Sequence, residues 1–476
     1  MMSRVKITGS LHARSMGARL VPQGLTSKLF WGLAALALGQ ALQEGYGNLT
    51  FHSLIWLSLT LLCVCVAVAF RNITVPLISG KMLWSVLLVG LAIQIYQLFT
   101  TSPGGVLPSA AQHNLWQFQL CIALAGIFAF LSLVPDSWLP AWVRIASIIL
   151  TLTSVLLAGI WVIRAFVNPA IDVFMFQQTS AAALLHGRNP YELTPPNIYG
   201  DLSYYGTALV KDGKLTIGNP YPPLSIYLST LGFWLTGDIR YTFLVAILGA
   251  GALMLSLRTD HEAILAAYLF LFTPRLYYVL EFSWTEPLVL FLVVLVIWCG
   301  IHRPKWTFIA FGLLMAIKQY MLFLFPLIIL LNPAGSLKQA WARSVSQTLG
   351  SATVVTAPLA IWNFPAFFWD VGLAQWYQVP RIDALSYAAA YARISGHFPT
   401  QLLPFTALGL VLVWACFRGE RSPYGFISAA ALALVLFFAL SKQAFCNYYF
   451  LVLGMACCAM ATFSTTARMT SVNDYQ

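Results

Sequence analysis

The stretch that decides the fold covers residues 142–163 and reads WVRIASIILTLTSVLLAGIWVI, with Arg144 as its single charged residue. A helix of this length crosses the roughly 30 Å hydrocarbon core of a bilayer. Backbone polar groups in lipid must bond within their own segment, so such a stretch crosses as an α-helix. The sequence therefore predicts a membrane span here.

The rest of the chain has the same character. Of its 476 residues, 59% are hydrophobic and 9% are charged, whereas soluble domains have about 25% charged residues. Apolar stretches recur at 53–70, 82–99, 115–134 and 345–362. This composition excludes an ordinary soluble fold and predicts an all-α polytopic membrane protein.

We predict about 14 transmembrane helices, within a range of about 11–14. The run 306–331 is split in two because Lys318 and Gln319 lie at its middle, and 224–235 is assigned to a short juxtamembrane helix because it follows two prolines. The predicted spans are 29–43, 53–70, 82–99, 115–134, 142–163, 241–257, 262–280, 287–302, the two halves of 306–331, 345–362, 402–417, 424–440 and 448–463.

Charge predicts the orientation. The net charge of +11 would indicate nucleic acid in a soluble protein, but here 16 of the 26 Lys and Arg residues fall in the predicted inner segments, as the positive-inside rule expects. We therefore predict a plasma-membrane protein with both termini in the cytoplasm. Its regions are a basic tail at 1–28, five spans over 29–163, an extracytoplasmic loop at 164–240, the remaining spans over 241–463 with a second extracytoplasmic loop at 363–401, and a tail at 464–476.

Asp172 is the first candidate for chemistry, because it follows the fifth predicted span directly. A carboxylate held beside apolar residues at a membrane boundary can have a raised pKa and act as a general base. Aspartate is also a preferred N-cap residue, and 172–185 reads as a helix. From the residues alone, base and cap remain equal alternatives.

Other charged residues lie near predicted span ends. Glu281 and Glu286 flank a break between spans, and Arg275 precedes them. These two carboxylates either take part in the chemistry of a site or have a structural role, as interfacial carboxylates neutralised by Arg275 or as part of a solvated turn. Lys318 is costly in its apolar run unless it pairs or binds an anion. Lys442 and Gln443 repeat the Lys-Gln pair, which suggests one anionic ligand for both pairs.

The loop 363–401 is rich in aromatic residues, which predict either a cleft for a sugar or lipid or an interfacial aromatic belt. The aromatic residues concerned are Trp369, Trp376, Tyr377, Tyr387 and Tyr391. The eight cysteines form no CxxC pair and have no histidine at metal spacing, so no metal site is predicted.

Six short motifs follow one another over about 160–330, and the predicted topology puts them on one outer face. They are Ile171-Asp172-Val173, the run from Leu184 to Tyr191 that contains Asn189, Tyr221-Pro222-Pro223-Leu224, Gly237-Asp238-Ile239-Arg240, Trp284-Thr285-Glu286-Pro287 and Ile317-Lys318-Gln319-Tyr320. This order resembles the GT-C class of membrane glycosyltransferases, most closely glycosyltransferase family 87, which uses polyprenol-phosphate-mannose.

The resemblance implies sugar transfer from a polyprenyl-phosphate carrier on the extracytoplasmic side, with inversion. It matches Asp172 to the catalytic aspartate, and Lys318 and Arg240 to the region that binds the carrier phosphate; Arg275 and Lys442 are further phosphate candidates. Secondary candidates are Glu281, Glu286, Gln319, Tyr221, Asn189 and Tyr191. The class often has a second carboxylate directly after the first, but here Val173 follows, which favours a single base without a metal.

The expected function is thus a hexosyltransferase of the cell envelope, with a lipid-linked sugar as donor, a lipid or glycan as acceptor, no required cofactor and no nucleic acid. A transporter or flippase of lipid-linked sugars is the main alternative, because buried basic residues would also line a pathway. A polymerase or ligase of lipid-linked glycans is the second. The sequence has no repeat between its halves of the kind that transporters often show.

The predicted topology is tested by cysteine accessibility. Lys214→Cys lies in a predicted outer loop and Lys338→Cys in a predicted inner segment, so an impermeant thiol reagent should label only the first in intact cells. Both should react after the membrane is permeabilised. Labelling of both positions from the same side would contradict the topology.

Overall fold

A computed structural model of the chain describes residues 25–69, 79–332 and 338–463. The predicted tail at 464–476, and that at 1–28 except for its last four residues, lie outside these ranges. Helices make up nearly all of the regular structure described.

Six helices cover the described chain up to residue 165. Local signals fix some of their starts: Ser79 accepts a hydrogen bond from Met82 N at 3.2 Å and so caps α3, and Pro140 precedes α6. The helices are α1 (Leu25–Gly45), α2 (Phe51–Ala69), α3 (Gly80–Thr100), α4 (Ser109–Gln112), α5 (Leu115–Ser132) and α6 (Ala141–Ala165).

The next region, 166–239, contains two α-helices, a one-turn 3-10 helix (Pro190–Glu192) and a small hairpin. Helix α7 spans Asp172–Leu185 and α8 spans Pro223–Thr236. Between them, β1 (Val210–Lys211) pairs antiparallel with β2 (Lys214–Leu215) across Asp212-Gly213, both with positive φ, a turn that such residues favour. The short helix predicted at 224–235 is confirmed; it starts at a proline and ends at Gly237, whose φ is 81°.

The remaining helices begin at residue 240, and some of them form much of the buried core. The last of them, α21 (Cys446–Thr462), is apolar on all sides and nearly every one of its residues is buried, as expected for a helix surrounded by others. In order they are α9 (Arg240–Leu257), α10 (His261–Leu271), α11 (Leu276–Glu281), α12 (Glu286–His302), a one-turn 3-10 helix (Pro304–Trp306), α13 (Thr307–Met315), a longer 3-10 helix (Gln319–Leu327), α14 (Ile328–Leu331), α15 (Lys338–Trp362), α16 (Phe364–Phe368), a π-helical turn (Trp369–Leu373), α17 (Ala374–Tyr377), α18 (Tyr387–Ser395), α19 (Leu402–Arg418), α20 (Pro423–Leu440) and α21 (Cys446–Thr462).

Each predicted span overlaps a helix, and the chain is a helical membrane protein by length and composition of its helices. Within the described residues six helices are long and apolar enough to cross a bilayer, or seven if the bent pair Lys338–Trp362 and Phe364–Tyr377 is one span. The predicted break at Lys318 is confirmed. The span predicted at 262–280 is interrupted, because Arg275 has a φ of 69° between α10 and α11. The total of about 14 spans stays a prediction.

Contacts divide the connecting segments into two sets. At one end of the bundle, Asn48 forms a β-bridge with Ala384, and Gly105 N donates to Glu281. At the other end, Lys28 pairs with Glu262. The first set contains the segments predicted outside, and we call this end of the bundle the site end. Whether it faces outward stays a prediction.

Candidate functional site

A cavity of about 590 Å³ opens at the site end. The loop 166–239, the segment 375–383 and the breaks beside α11, α13 and α21 all contribute to its wall. Aromatic rings dominate it, and its tyrosines are Tyr46, Tyr199, Tyr204, Tyr205, Tyr221, Tyr278, Tyr320 and Tyr448. A wall of this composition offers both apolar surface and hydroxyl groups, which suits a ligand with a sugar or other polyhydroxylated part.

Asp172 lies on this wall as the first residue of α7. Its Oδ2 accepts a hydrogen bond from the Tyr205 hydroxyl at 2.5 Å, and its Oδ1 accepts from Val173 N at 2.8 Å. The N-cap position belongs to Ile171, and a capping aspartate would accept from a residue two or three positions further on. The cap interpretation is therefore wrong, and the carboxylate is directed to the cavity wall.

Burial raises the pKa of the Asp172 carboxyl above its usual range, because a charged carboxylate loses hydration there. The Tyr205 hydroxyl and the Val173 N–H oppose this by stabilising the charged form. In turn, burial and the nearby Asp172 charge raise the pKa of Tyr205, so its hydroxyl remains a hydrogen-bond donor. Asp172 is thus placed and tuned to accept a proton.

The tyrosines around Asp172 were missed by the sequence analysis. Tyr199 accepts from Asp172 N at 3.4 Å, and its ring stacks on Tyr204 with centroids 4.1 Å apart. The signal that could have found them is the Tyr-Tyr pair at 204–205 within a loop otherwise rich in polar and turn-forming residues. Aromatic side chains in such a loop require a partner, and here they partner one another and Asp172.

Lys318 brings a positive charge to the same cavity that Asp172 lines. The chain is extended at Lys318, with a φ of −152°, between α13 and the 3-10 helix. Its Nζ lies 2.9 Å from Glu286 Oε1 and donates to Thr285 Oγ1 at 2.7 Å. The ammonium also lies 4.4 Å from the ring centroid of Tyr221. Lys318 and Glu286, proposed separately from the sequence, thus form one buried ion pair, and Lys318 and Tyr221 both line the cavity.

Three of the secondary candidates hold the segment that carries Tyr221. Gln319 lines the cavity, and its side-chain amide donates to Pro220 O and to Val371 O. Tyr191 donates from its hydroxyl to Tyr221 O at 2.8 Å, and Asn189 accepts from Tyr191 N at 3.1 Å. Asn189 and Tyr191 do not line the cavity; Tyr191 contacts the Tyr221 backbone and Asn189 holds Tyr191, so both help to position a residue that does.

The structure does not support a phosphate-binding role for Arg240. Its side chain is fully buried and lies outside the cavity lining. The guanidinium forms a bidentate pair with Asp238 and donates to Phe166 O at 2.6 Å and Ile163 O at 3.1 Å. Those carbonyls belong to the C-terminal end of α6, whose last acceptors need donors. Arg240 therefore joins α9 to α6.

Three other candidates also lie outside this cavity lining. Arg275 is buried against the Tyr46 ring, 3.6 Å from its centroid. Glu281 accepts from Gly105 N at 2.7 Å. Lys442 donates to Trp376 O and Gln378 O and lines a smaller adjoining cavity of about 250 Å³. The two ammonium groups line different but adjoining cavities, while Gln319 and Gln443 both line the main one. That both Lys-Gln pairs hold one anionic ligand stays a prediction.

The aromatic residues of 363–401 contribute little to the main cavity. Trp376, Tyr377 and Tyr391 are exposed, as residues of an interfacial belt would be, and none of them lines it. The same loop instead contributes Arg381 and Asp383 to the cavity wall. These two were not among the predicted site residues, because their distance from the other motifs in sequence gives no sign that they meet them.

Comparisons of the chain with protein-family models, with curated proteins and with solved structures find no match. The resemblance to the GT-C class thus depends on the quoted motifs. Among the described residues there is no group of three or more His, Cys, Asp or Glu side chains that could hold a metal ion. Independence of metal stays a prediction.

The Lys318–Glu286 pair is tested by a double-mutant cycle on unfolding in detergent. Lys318→Met leaves Glu286 buried without its counter-charge and should cost about 3 kcal/mol, as should Glu286→Gln. The double variant should cost less than the sum, with a coupling energy of about 2 kcal/mol. The exposed Arg188→Gln, combined with Glu286→Gln, should give additive effects. Additivity of the Lys318 and Glu286 changes would contradict the pair.

Proposed function

We propose that the chain is an integral-membrane glycosyltransferase that moves a hexose, with mannose as first candidate, from a polyprenyl-phosphate donor to a lipid or glycan acceptor with inversion. The observation that supports this best is that Asp172 and Lys318 line one cavity. One can accept a proton and the other can stabilise a phosphate. An acid–base group and a cation in one aromatic cavity are what this reaction requires.

The reaction balances as a single displacement. The acceptor hydroxyl oxygen forms a bond to the anomeric carbon on the face opposite the donor phosphate, which gives inversion. The bond between that carbon and the phosphate oxygen breaks, and its electron pair leaves with the polyprenyl phosphate. The hydroxyl proton passes to the Asp172 carboxylate, whose raised pKa makes it a better base than a solvated aspartate.

Lys318 acts on the leaving group. Negative charge accumulates on the departing phosphate, and an ammonium group stabilises that charge more strongly in a partly dry cavity than in water. Glu286 keeps the lysine neutralised before the donor arrives, so the resting cavity does not contain an unpaired buried cation. Thr285 orients the same ammonium.

A lipid-linked donor fits the surroundings of the cavity. The adjoining cavity shares Tyr320, Phe405 and Tyr448 with it and adds apolar residues such as Phe398 and Pro404. An isoprenoid chain next to a polar headgroup needs such an apolar neighbour. In this proposal the site end faces the extracytoplasmic side of the plasma membrane, where donor and acceptor meet.

Asp172→Asn should abolish transfer and leave folding nearly intact, because the amide has the same shape but cannot take the acceptor's proton. A positioned general base contributes about 10²–10⁴-fold in rate, so a loss of that size is expected per folded molecule. The measurement is label transfer from radiolabelled polyprenyl-phosphate-mannose by purified protein. Asp201→Asn, an exposed aspartate of the same loop, is the control and should remain active.

Full activity of Asp172→Asn would overturn the assigned base. If lipid-linked sugar crosses the membrane in proteoliposomes of this variant as it does with the parent, while neither transfers label, the transporter alternative is favoured instead.

Tyr205→Phe should shift the acid limb of the pH–rate profile to higher pH. The Tyr205 hydroxyl stabilises charged Asp172 and so lowers its pKa; without it, the pKa rises further. Because the base works only when deprotonated, activity then begins to fall at a higher pH on acidification. Tyr204 makes no hydrogen bond to Asp172, so Tyr204→Phe should leave the acid limb at the same pH. An unchanged limb in Tyr205→Phe would contradict the assignment.

A further inference from the structure

Arg381 is a cation of the cavity lining that the reaction above does not use. It lies between α17 and α18, and its backbone is fixed by neighbours from other parts of the chain: Arg381 N donates to Lys442 O at 3.0 Å. Two residues further on, Asp383 O accepts from Leu49 N at 2.8 Å. The segment is therefore held against the α1–α2 connection, and its side chains have a fixed origin.

The guanidinium of Arg381 is held as firmly as its backbone. Its centre lies 4.3 Å from the ring centroid of Tyr204 and 5.1 Å from that of Phe445. Its Nε and Nη2 donate to the two carboxylate oxygens of Asp383 at 2.8 and 2.5 Å. Within the part of the chain that the structure describes, Nη1 has no hydrogen-bond partner. A planar donor group is thus oriented with one end free at the cavity wall.

A continuous set of contacts joins this guanidinium to the base. Arg381 lies over Tyr204, Tyr204 stacks on Tyr199, and the Tyr199 hydroxyl bonds to Asp172 N. Lys318 approaches the same cavity through a different ring, that of Tyr221. Among the described residues, the cavity lining therefore contains two cations, Lys318 and Arg381, each paired with its own carboxylate and each lying over a different tyrosine.

We propose that Arg381 forms a second anion subsite, which binds a phosphate group carried by the acceptor while the acceptor hydroxyl faces Asp172. The inference rests on the proposed function, because it assigns Lys318 to the donor phosphate and leaves Arg381 for the other substrate. A monophosphate donor has one phosphate to stabilise. The second cation then identifies the acceptor as an anionic molecule rather than a neutral glycan or glycolipid.

The chemistry of the Arg381–Asp383 pair favours a phosphate group as the ligand. An arginine binds phosphate oxygens through parallel N–H groups on two different nitrogens. Since Nε and one N–H of Nη2 are used by Asp383, the edge formed by Nη1 and the second N–H of Nη2 offers such a pair. Because the rings and Asp383 already hold the guanidinium in place, little conformational entropy is lost on binding. Asp383 offsets the positive charge, so the product can leave again. A solvated surface ion pair would need neither the rings nor the fixed backbone.

The first test measures anion binding without any catalysis. Inorganic phosphate that binds the folded full-length chain raises its thermal unfolding temperature. The phosphate-dependent increase should be smaller in Arg381→Gln than in the parent and unchanged in Arg188→Gln, an exposed arginine outside the cavity. Asp383→Asn should enlarge it, because the competing carboxylate is removed. An increase in Arg381→Gln equal to that of the parent overturns the subsite, whether or not the chain transfers sugar.

The second test assigns the subsite to one substrate. Octyl mannoside and its 6-phosphate serve as a matched pair of acceptors with a radiolabelled polyprenyl-phosphate-mannose donor. In Arg381→Gln, the KM for the phosphorylated acceptor should rise about 10- to 100-fold, the typical loss for a charged hydrogen bond. The KM values for the neutral acceptor and for the donor should stay unchanged.

An increase in the donor KM alone would assign Arg381 to the donor and overturn the proposal. So would equal use of both acceptors by the parent. If the parent transfers no label at all, the proposed function fails, while the phosphate titration still decides whether Arg381 binds anions.

Discussion

The arrangement of the cavity depends on the requirement that the Lys318 ammonium have a counter-charge in an apolar interior. An unpaired cation there would be prohibitively costly, and Glu286 at the start of α12 meets it. The chain leaves the helical path where this pair forms: α13 ends at Met315, Lys318 is extended, and a 3-10 helix follows. The same break brings Gln319 to Pro220, which fixes the segment carrying Tyr221. One ion pair thus positions three separate parts of the sequence.

Helix positions could be predicted from the sequence, and site membership only in part. Polarity within an apolar run identified the break at Lys318, and two prolines identified the start of α8. The structural role of Arg240 could not be predicted, although its partner Asp238 lies only two residues before it. Its remaining partners are carbonyls at the end of α6, and no sequence pattern reveals which helix end lacks donors. Tyr199 reaches Asp172, and Arg381 reaches Tyr204, only through tertiary packing.

Two loops contribute different residues to the cavity. The loop 166–239 supplies the base and the tyrosines that tune it, whereas 363–401 supplies structural support and one cation. Asp370 connects them, since its carboxylate accepts from Gly218 N and Asn219 N at 2.7 and 2.8 Å. A buried carboxylate that accepts two backbone donors is a rigid joint. Asp370 therefore fixes the position of the second loop relative to the first.

The central helices α12 and α21 have 17 residues each and so rise only about 26 Å, less than the roughly 30 Å of a hydrocarbon core. Most of their side chains are buried by other helices rather than exposed on the outside of the bundle, so this shortness creates no hydrophobic mismatch. The longer and more exposed α3 and α6 would instead adjust to bilayer thickness by tilting. Glu286, the partner of Lys318, begins α12, so the depth of this ion pair is set by a helix that other helices enclose rather than by the more exposed α3 and α6.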